Sequence, residues 1–274
     1  MDARDAGDTL EDDGRSIALT GVAPTQRSRR APPLPLLLVE GQRALLEGLT
    51  LRPSAGLLRR ASKGDGHPVL VLPGFTAGDG STRALRRYLS QLGYGAHPWL
   101  QGRNLGLRGD LAERLSERVV ELNERYGRRL SLVGWSLGGI YARELAKRLP
   151  DRIRHVVTLG SPFADAGRAS NASRLYALFA GRPPDHDQSE FLDSLRQPPG
   201  SPSTSIYTRS DGVVHWRACL EPDTDHTENI EVPGSHCGLG VNPLVLYLVA
   251  DRLAQPEGAW RPFDRTGWRR IVYR

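Results

Sequence analysis

Residue types that can cleave an acyl bond occur at separate positions in the chain. Ser136 lies in the run GWSLG at 134–138, which matches the pattern G-x-S-x-G. A serine hydroxyl becomes a strong nucleophile only beside a base, and a histidine base needs a carboxylate on its far ring nitrogen. Such a set can attack a carbonyl carbon and hold the acyl group covalently. We therefore asked which histidine and which acid could accompany Ser136.

His236 is the favoured base among seven histidines. It lies in VPGSHCGLG, a loop with glycines on both sides between the last expected strand and the last expected helix. The other six are less suited for three reasons. Three lie at or inside expected strands (His67, His97 and His155), two lie in polar loops (His186 and His226), and one lies close to the best acid (His215).

Asp211 is the favoured acid. It ends the strand in IYTRSDGVV and precedes a glycine turn, which gives the chain order Ser136, Asp211, His236. That order is typical of a nucleophile on a strand-to-helix turn. Asp223 and Asp225 are nearer His236 in sequence, but their loop is expected to be exposed. Asp187 falls in a long insertion.

The oxyanion of an acyl-transfer reaction needs backbone N–H donors. We expect one from Leu137, directly after the nucleophile, and one from Phe75, in the loop after the strand HPVLVLPGF. Trp135 adjoins this site and could form an apolar wall for an acyl chain. Trp99, at another strand end, could join it or belong to the core, and Phe163 could cover the pocket from the insertion.

The elements that position these residues alternate between strand and helix. Continuous apolar runs such as HPVLVLPGF and RLSLVGW predict strands buried on both faces. Helical patterns follow each of them, as in STRALRRYLSQLG and in 111–122, where apolar residues recur at Leu111, Leu115, Val119 and Leu122. The alternation predicts an α/β fold with a mostly parallel sheet and helices on both faces.

The chain divides into three segments. Residues 1–31 are polar and acidic at the start, which predicts a disordered tail. Residues 32–66 carry leucines at helical spacing and predict amphipathic helices packed on the main domain, or, as the alternative, lying on a membrane surface through residues 35–60. Residues 67–274 form the main domain. Within it, 163–205 is long for a connection and predicts a cap whose aromatics Phe163, Tyr176, Phe179 and Phe191 cover the site.

These motifs together resemble the α/β-hydrolases, and more narrowly the bacterial lipases and esterases of the triacylglycerol-lipase type. The resemblance lies in VLVLPGF, LVGWSLGGIYAREL, VVTLGSPF, YTRSDGVV and GSHCGLG, in that order, over about residues 67–254. It implies a serine carboxylic-ester hydrolase that needs no metal or organic cofactor. Two positions depart from the family pattern: Pro73 stands where histidine is usual, and Trp135 stands where histidine or tyrosine is usual. Both leave the substrate class open.

Composition restricts the other possibilities. The net charge is +6, but the arginines are scattered along expected helices, and no nucleic-acid-binding motif accompanies them. Two cysteines, Cys219 and Cys237, are expected to be free thiols, with a disulfide bracing the histidine loop as the alternative. No apolar run has the length of a membrane span, so we expect a cytoplasmic protein with possible membrane association. Its oligomeric state is left open.

Three kinds of function remain open on the sequence. The first is hydrolysis of apolar esters, with a small-molecule or lipid ester as substrate. The second uses the same triad as an acyltransferase, thioesterase or amidase, because all of these form the same acyl-enzyme. The third is a non-catalytic binding protein, which is disfavoured because such a protein would not need serine, aspartate and histidine at three strand ends.

Overall fold

The computed structural model describes residues 32–164 and 193–274. Six strands form one sheet in the order β2-β1-β3-β4-β5-β6, and every neighbouring pair is parallel. In chain order they are β1 (Pro68–Leu72), β2 (Gly95–Pro98), β3 (Leu130–Trp135), β4 (Ile153–Leu159), β5 (Ser203–Tyr207) and β6 (Thr227–Glu231). The predicted parallel sheet is confirmed.

Helices cover both faces of this sheet. The described helices are α1 (Leu34–Leu38), α2 (Glu40–Leu49), α3 (Ala55–Arg59), α4 (Arg83–Gln91), α5 (Leu111–Tyr126), α6 (Leu137–Arg148), α7 (Pro243–Leu253) and α8 (Arg269–Val272). Side chains of α5 and α6 form the core on one face, and those of α3, α4 and α7 form the core on the other. Two apolar layers therefore enclose β1, β3 and β4, whose residues are almost all buried.

The predicted amphipathic helix α5 has the expected face. Leu111, Leu115, Val119 and Leu122 are all buried, and the helix ends at Gly127, whose φ of 59° lies in the left-handed region that glycine adopts without strain. This helix buries its apolar stripe and exposes its charged one, as a surface helix ordinarily does.

Helix α2 does the opposite: it packs on the domain through its charged face rather than its leucine face. Leu45, Leu46 and Leu49 are 67%, 62% and 64% exposed, whereas Glu40 is only 3% exposed. The charged face of α2 packs on the domain, where its carboxylates accept backbone N–H groups of two loops. The leucine face is exposed to solvent.

The C-terminal tail packs back onto the domain. Phe263 and Tyr273 are buried in the core beside α7, and Arg274 exchanges backbone hydrogen bonds with Glu231 at the edge of β6. Trp268 stays 43% exposed. Within 32–164 and 193–274, no helix has both the length and the apolar character that a membrane span requires.

Two of the predicted segments lie wholly or partly outside the described residues. The expected tail 1–31 is one of them. Of the expected cap 163–205, the positions of Tyr176, Phe179 and Phe191 are also outside, and its last residues, from Ser203, belong to β5. The cap remains a prediction.

Candidate active site

Ser136 occupies a sharp turn between β3 and α6. Its φ and ψ are 52° and −117°, a conformation that non-glycine residues rarely adopt and that costs energy. The Ser136 N–H donates to the carbonyl of Leu159 at 2.8 Å, which fixes the turn to the carboxyl end of β4. The predicted strand–turn–helix setting of the G-x-S-x-G motif is therefore present.

Two glycines make this turn possible by removing side chains that would collide. A Cβ on Gly134 would lie 2.3 Å from the carbonyl oxygen of Gly138, and a Cβ on Gly138 would lie 2.3 Å from the carbonyl oxygen of Leu72. Both distances are far below van der Waals contact. The start of α6 consequently packs directly against β1 and β3.

Asp211 lies in the loop after β5, with its carboxylate held from two sides. Its Oδ1 accepts the backbone N–H groups of Val213 and Val214 at 2.8 and 2.6 Å. Its Oδ2 lies 2.7 Å from Nδ1 of His236. Because a carboxylate only accepts hydrogen bonds, the proton of this contact belongs to Nδ1, and Nε2 is left as the basic nitrogen.

His236 is 5% exposed and lies in the loop between β6 and α7. The indole N–H of Trp135 donates to its carbonyl oxygen at 3.1 Å. Its ring lies against Gly160, where a Cβ would come within 3.1 Å of Nδ1. Gly160 directly follows Leu159, which binds the Ser136 N–H, so Ser136 and His236 both adjoin the carboxyl end of β4.

The structure brings Asp211 and His236 into a direct hydrogen bond, but it places none between Ser136 and His236. Catalytic contacts are often longer without substrate and tighten only when it binds. The pKa of the His236 imidazole also differs from that of an ordinary histidine. Burial opposes its protonation, but the carboxylates of Asp211 and Glu40 favour it, and together they raise the pKa of His236 above its usual value.

Three other described histidines bind neighbouring residues, as expected for those in strands. His155 bonds to the hydroxyl of Thr204, and burial lowers its pKa to about 3. His97 lies 2.8 Å from the hydroxyl of Tyr126. His215 accepts the backbone N–H of its own neighbour Arg217. His186 lies outside the described residues.

His67 joins an aspartate and a serine in a hydrogen-bonded relay that resembles the Asp211–His236 pair and its nearby serine. Its Nδ1 lies 2.5 Å from Oδ1 of Asp65, and its Nε2 lies 3.0 Å from the hydroxyl of Ser131. Ser131 is fully buried near the start of β3, and Asp65 also pairs with Arg154. A substrate cannot reach a serine enclosed on both faces of the sheet, so we assign this relay a structural role.

Sequence reasoning missed the contribution of helix α2. Glu40 accepts the backbone N–H groups of Gly212 and Cys237, both at 2.8 Å. Arg43 donates to the carbonyl of Ser210 at 2.6 Å, and Glu47 accepts the N–H of Ser235 at 2.7 Å. A signal existed in the spacing: these three charged residues share one helix face, opposite the leucines.

The residues predicted to line an acyl pocket do not lie together. Trp135 contacts the core on the α7 side of the sheet, with its ring against Gly240, whereas Trp99 and Phe163 belong to the core on the α6 side. Trp99 is 1% exposed and Phe163 is fully buried. Substrate contact by any of them stays a prediction, and the observed role of Trp135 is to brace the histidine loop.

Other features of the described residues lie apart from this site. A cavity of about 650 Å³ lies between residues 223–229, which include the start of β6, and the tail at 260–265, and none of the predicted site residues lines it. Asp223 and Asp225 border it and are exposed, as expected. Cys219 and Cys237 are free thiols. Within 32–164 and 193–274, no cluster of histidine, cysteine and acidic side chains could hold a metal ion.

Comparison with known proteins gives a likeness of structure only. No family model and no curated protein matches the sequence. Lipase B of Aspergillus fumigatus is 18% identical with a TM-score of 0.54, over 71% of this chain and 54% of that one, so this chain spans about half its length. A monoacylglycerol lipase of Paleococcus ferrophilus is 16% identical with a TM-score of 0.50, over 69% of this chain and 96% of that one. The chain has the α/β-hydrolase fold.

Proposed function

We propose that this α/β-hydrolase-fold protein is a serine hydrolase that cleaves carboxylic esters through an acyl-enzyme. Ser136 is the nucleophile, His236 the base and Asp211 the acid. The observation that carries the proposal is the 2.7 Å contact between Asp211 and His236, beside a serine held in a strained turn. Because strain at a buried turn costs stability, its presence favours a role for the residue that bears it.

The reaction follows from the protonation state of His236. Nε2 takes the proton of the Ser136 hydroxyl while Oγ bonds to the ester carbonyl carbon, which becomes tetrahedral. Nε2 then gives this proton to the alkoxy oxygen as the C–O bond breaks, and the alcohol leaves. Water repeats both steps on the acyl-enzyme, releasing the acid and restoring the serine. The carboxylate of Asp211 stabilises the imidazolium in each half.

The oxyanion of the tetrahedral state would meet two backbone N–H groups. Leu137 is the first residue of α6, where N–H groups have no carbonyl one turn earlier to bind. Phe75 follows Gly74, and a Cβ on that glycine would lie 3.3 Å from Cβ of Ser136, so the loop runs beside the nucleophile. These contacts support Phe75 and Leu137 as the donors.

The natural substrate is proposed at the level of class. Both of the similar structures described above are lipases, which favours esters with an apolar acyl chain. Acyl transfer to another acceptor, and attack on thioesters or amides, would use the same acyl-enzyme. Product analysis separates them, because a hydrolase releases free acid in water and a transferase forms a new acyl bond when an acceptor is added.

Replacing Ser136 with alanine tests the proposal. A panel of p-nitrophenyl esters graded by acyl length is assayed with wild type and with Ser136→Ala. We expect turnover by wild type and a loss of about 10⁵- to 10⁶-fold in kcat in the variant, since triad members act as one unit. Ser131→Ala, in the buried relay, is the matched control and should keep kcat. An active Ser136→Ala protein would contradict the assignment.

We also propose that residues 35–60 contact a lipid surface. The leucine face of α2 (Leu45, Leu46 and Leu49) is exposed, and the exposed cations Arg52, Arg59 and Arg60 follow it. A face of this kind can insert leucines at an interface while the cations attract anionic headgroups.

Vesicle flotation tests this contact. We expect wild type to float with vesicles that contain phosphatidylglycerol and the double variant Leu45→Ser/Leu49→Ser to stay in solution, because the apolar area is lost. Ile271→Ser, on α8, removes an equally exposed apolar side chain and should leave flotation unchanged. Wild type that stays in solution with anionic vesicles would exclude the proposal.

A further inference from the structure

Helix α2 contacts the residues directly after both members of the Asp211–His236 pair. Oε1 of Glu40 accepts the N–H of Gly212, and Oε2 accepts the N–H of Cys237, both at 2.8 Å. Asp211 and His236 come from loops that follow different strands, β5 and β6. One carboxylate, 3% exposed, thus joins the acid loop to the base loop.

We propose that Glu40 is a positioning residue that sets the distance between Asp211 and His236 by binding the backbone of both loops at once. The proposal rests on the proposed function of this pair in ester hydrolysis. It assigns to residues 32–49, outside the main domain predicted from the sequence, a direct part in the geometry of the site.

Two further side chains of α2 hold the same loops. Glu47 accepts the N–H of Ser235 at 2.7 Å and the side-chain amide of Asn242 at 2.9 Å. Arg43 donates to the carbonyl of Ser210 at 2.6 Å and also to the carbonyl of Gly234. Each loop is therefore bound on both sides of its catalytic residue, which leaves it little freedom to move.

Close packing supports the same conclusion independently of the hydrogen bonds. A Cβ on Gly212 would lie 2.5 Å from the backbone of Leu36, and a Cβ on Gly238 would lie 2.3 Å from the carboxylate of Glu47. The acid loop and the base loop thus touch α1 and α2 with no space for a side chain. A surface helix that contributed nothing to the geometry of the site would not need to pack this closely against the two loops.

The charge of Glu40 also acts on the imidazole. The charged groups that affect His236 are Asp211, which bonds to it, and Glu40, and both favour its protonated form. Arg43 lies 3.6 Å from Oε1 of Glu40 and offsets part of that charge. A glutamine at position 40 could accept only one of the two N–H groups, because its amide NH₂ would meet the other donor.

The first experiment compares kcat, KM and the titration of His236 between Glu40→Gln and wild type. We expect kcat to fall about 10- to 100-fold, the value of one charge-assisted hydrogen bond, with KM little changed. The ¹³C resonance of the His236 ring should titrate at lower pH than in wild type. Glu121→Gln, an exposed partner of Arg118, is the control and should match wild type in both measurements.

The second experiment distinguishes positioning from general support of the fold. In an Asp211→Asn background the pair is already broken, so Glu40→Gln should lower kcat by less than about twofold further. Losses that multiply in the double variant, or an unchanged kcat and His236 titration in Glu40→Gln alone, would overturn the proposal.

Glu40→Asp keeps the experiment decisive if Glu40→Gln does not fold. It keeps the negative charge, but it is one methylene shorter and cannot reach both loops. We expect a lower kcat with a His236 titration near that of wild type, and an unchanged kcat would overturn the proposal. Failure of the proposed function itself would look different, because wild type would then lack ester turnover while the ring titration still responded to Glu40→Gln.

Discussion

At the scale of single residues, the site depends on the protonation of His236. The carboxylate of Asp211 fixes the proton on Nδ1, and the backbone N–H groups of Val213 and Val214 keep that carboxylate oriented. Nε2 is then the only ring nitrogen able to take the serine proton. The same surroundings raise the pKa of His236, so the proposed base is neutral only when the pH exceeds this raised value.

This charge balance predicts the pH dependence. Since the neutral imidazole is the base, kcat/KM should fall as the pH drops through the pKa of His236, with a midpoint above the usual histidine value. Asp211→Asn removes the largest influence that favours the imidazolium, so the midpoint should move to lower pH and kcat should fall by about 10⁴-fold. A pH–rate profile on a p-nitrophenyl ester measures both. A midpoint that stays in place in Asp211→Asn would contradict the account.

The residues of the proposed triad could be selected from sequence because each follows a recognisable strand. Ser136, Asp211 and His236 come after β3, β5 and β6, and the carboxyl ends of parallel strands meet at one edge. The resemblance of the Asp65–His67–Ser131 relay to a triad could not be foreseen. It arises from β1 and β3 lying side by side, and only burial separates it from a catalytic arrangement.

At the scale of elements, the strand β3 and the helix α6 are joined by a turn that tolerates no extra atoms. Gly138→Ala should destabilise the protein by about 3 kcal/mol or more, because its Cβ would overlap the backbone of Leu72, which cannot rotate away. Thermal or urea unfolding measures the change in the free energy of unfolding.

Gly41→Ala is the matched control for that experiment. Gly41 also lies inside a helix, but a Cβ there would have nothing within 4 Å. Alanine should be neutral or stabilising by about 0.5–1 kcal/mol, since it has the higher helix propensity. Equal stability of Gly138→Ala and wild type would show that the turn is not as closely packed as described.

Helix α2 shows why part of the site was not predictable. Its leucine face and its charged face are both continuous, and a helical pattern alone does not state which face packs inward. For α5 the usual rule holds, and Leu115 and Val119 are buried. For α2 the decision depends on N–H groups of Gly212 and Cys237, about 170 to 200 residues away in the chain, that are left for Glu40 to bind.

At the scale of the whole molecule, helix α2 of the N-terminal segment covers the loops that follow β5 and β6 at the carboxyl edge of the sheet. The strand order places the acid and base loops side by side, and β4 alone separates β5 from β3, whose end leads into the turn that holds Ser136. Helix α2 fixes these loops with its inner face and presents leucines outward. An interface bound by the outer face would therefore lie close to the catalytic pair.

The parallel sheet and its helices could be predicted because strand and helix periods differ clearly in β1, β3, β4 and α5. The faces that Trp135, Trp99 and Phe163 meet could not, because each lies at or beyond the end of a different strand and alternation along one strand does not relate them. Trp135 faces the α7 side, and Trp99 and Phe163 face the α6 side. The substrate pocket is consequently less defined than the triad.

Covalent labelling by a fluorophosphonate is the most direct measurement of the central claim. The reagent transfers a phosphonyl group to a serine only when an adjacent base activates it, and peptide mass spectrometry then locates the modified residue. We predict one added phosphonyl group per chain, on Ser136, and its absence in His236→Ala. A label on another residue, or no label on a folded wild-type protein, would contradict the account.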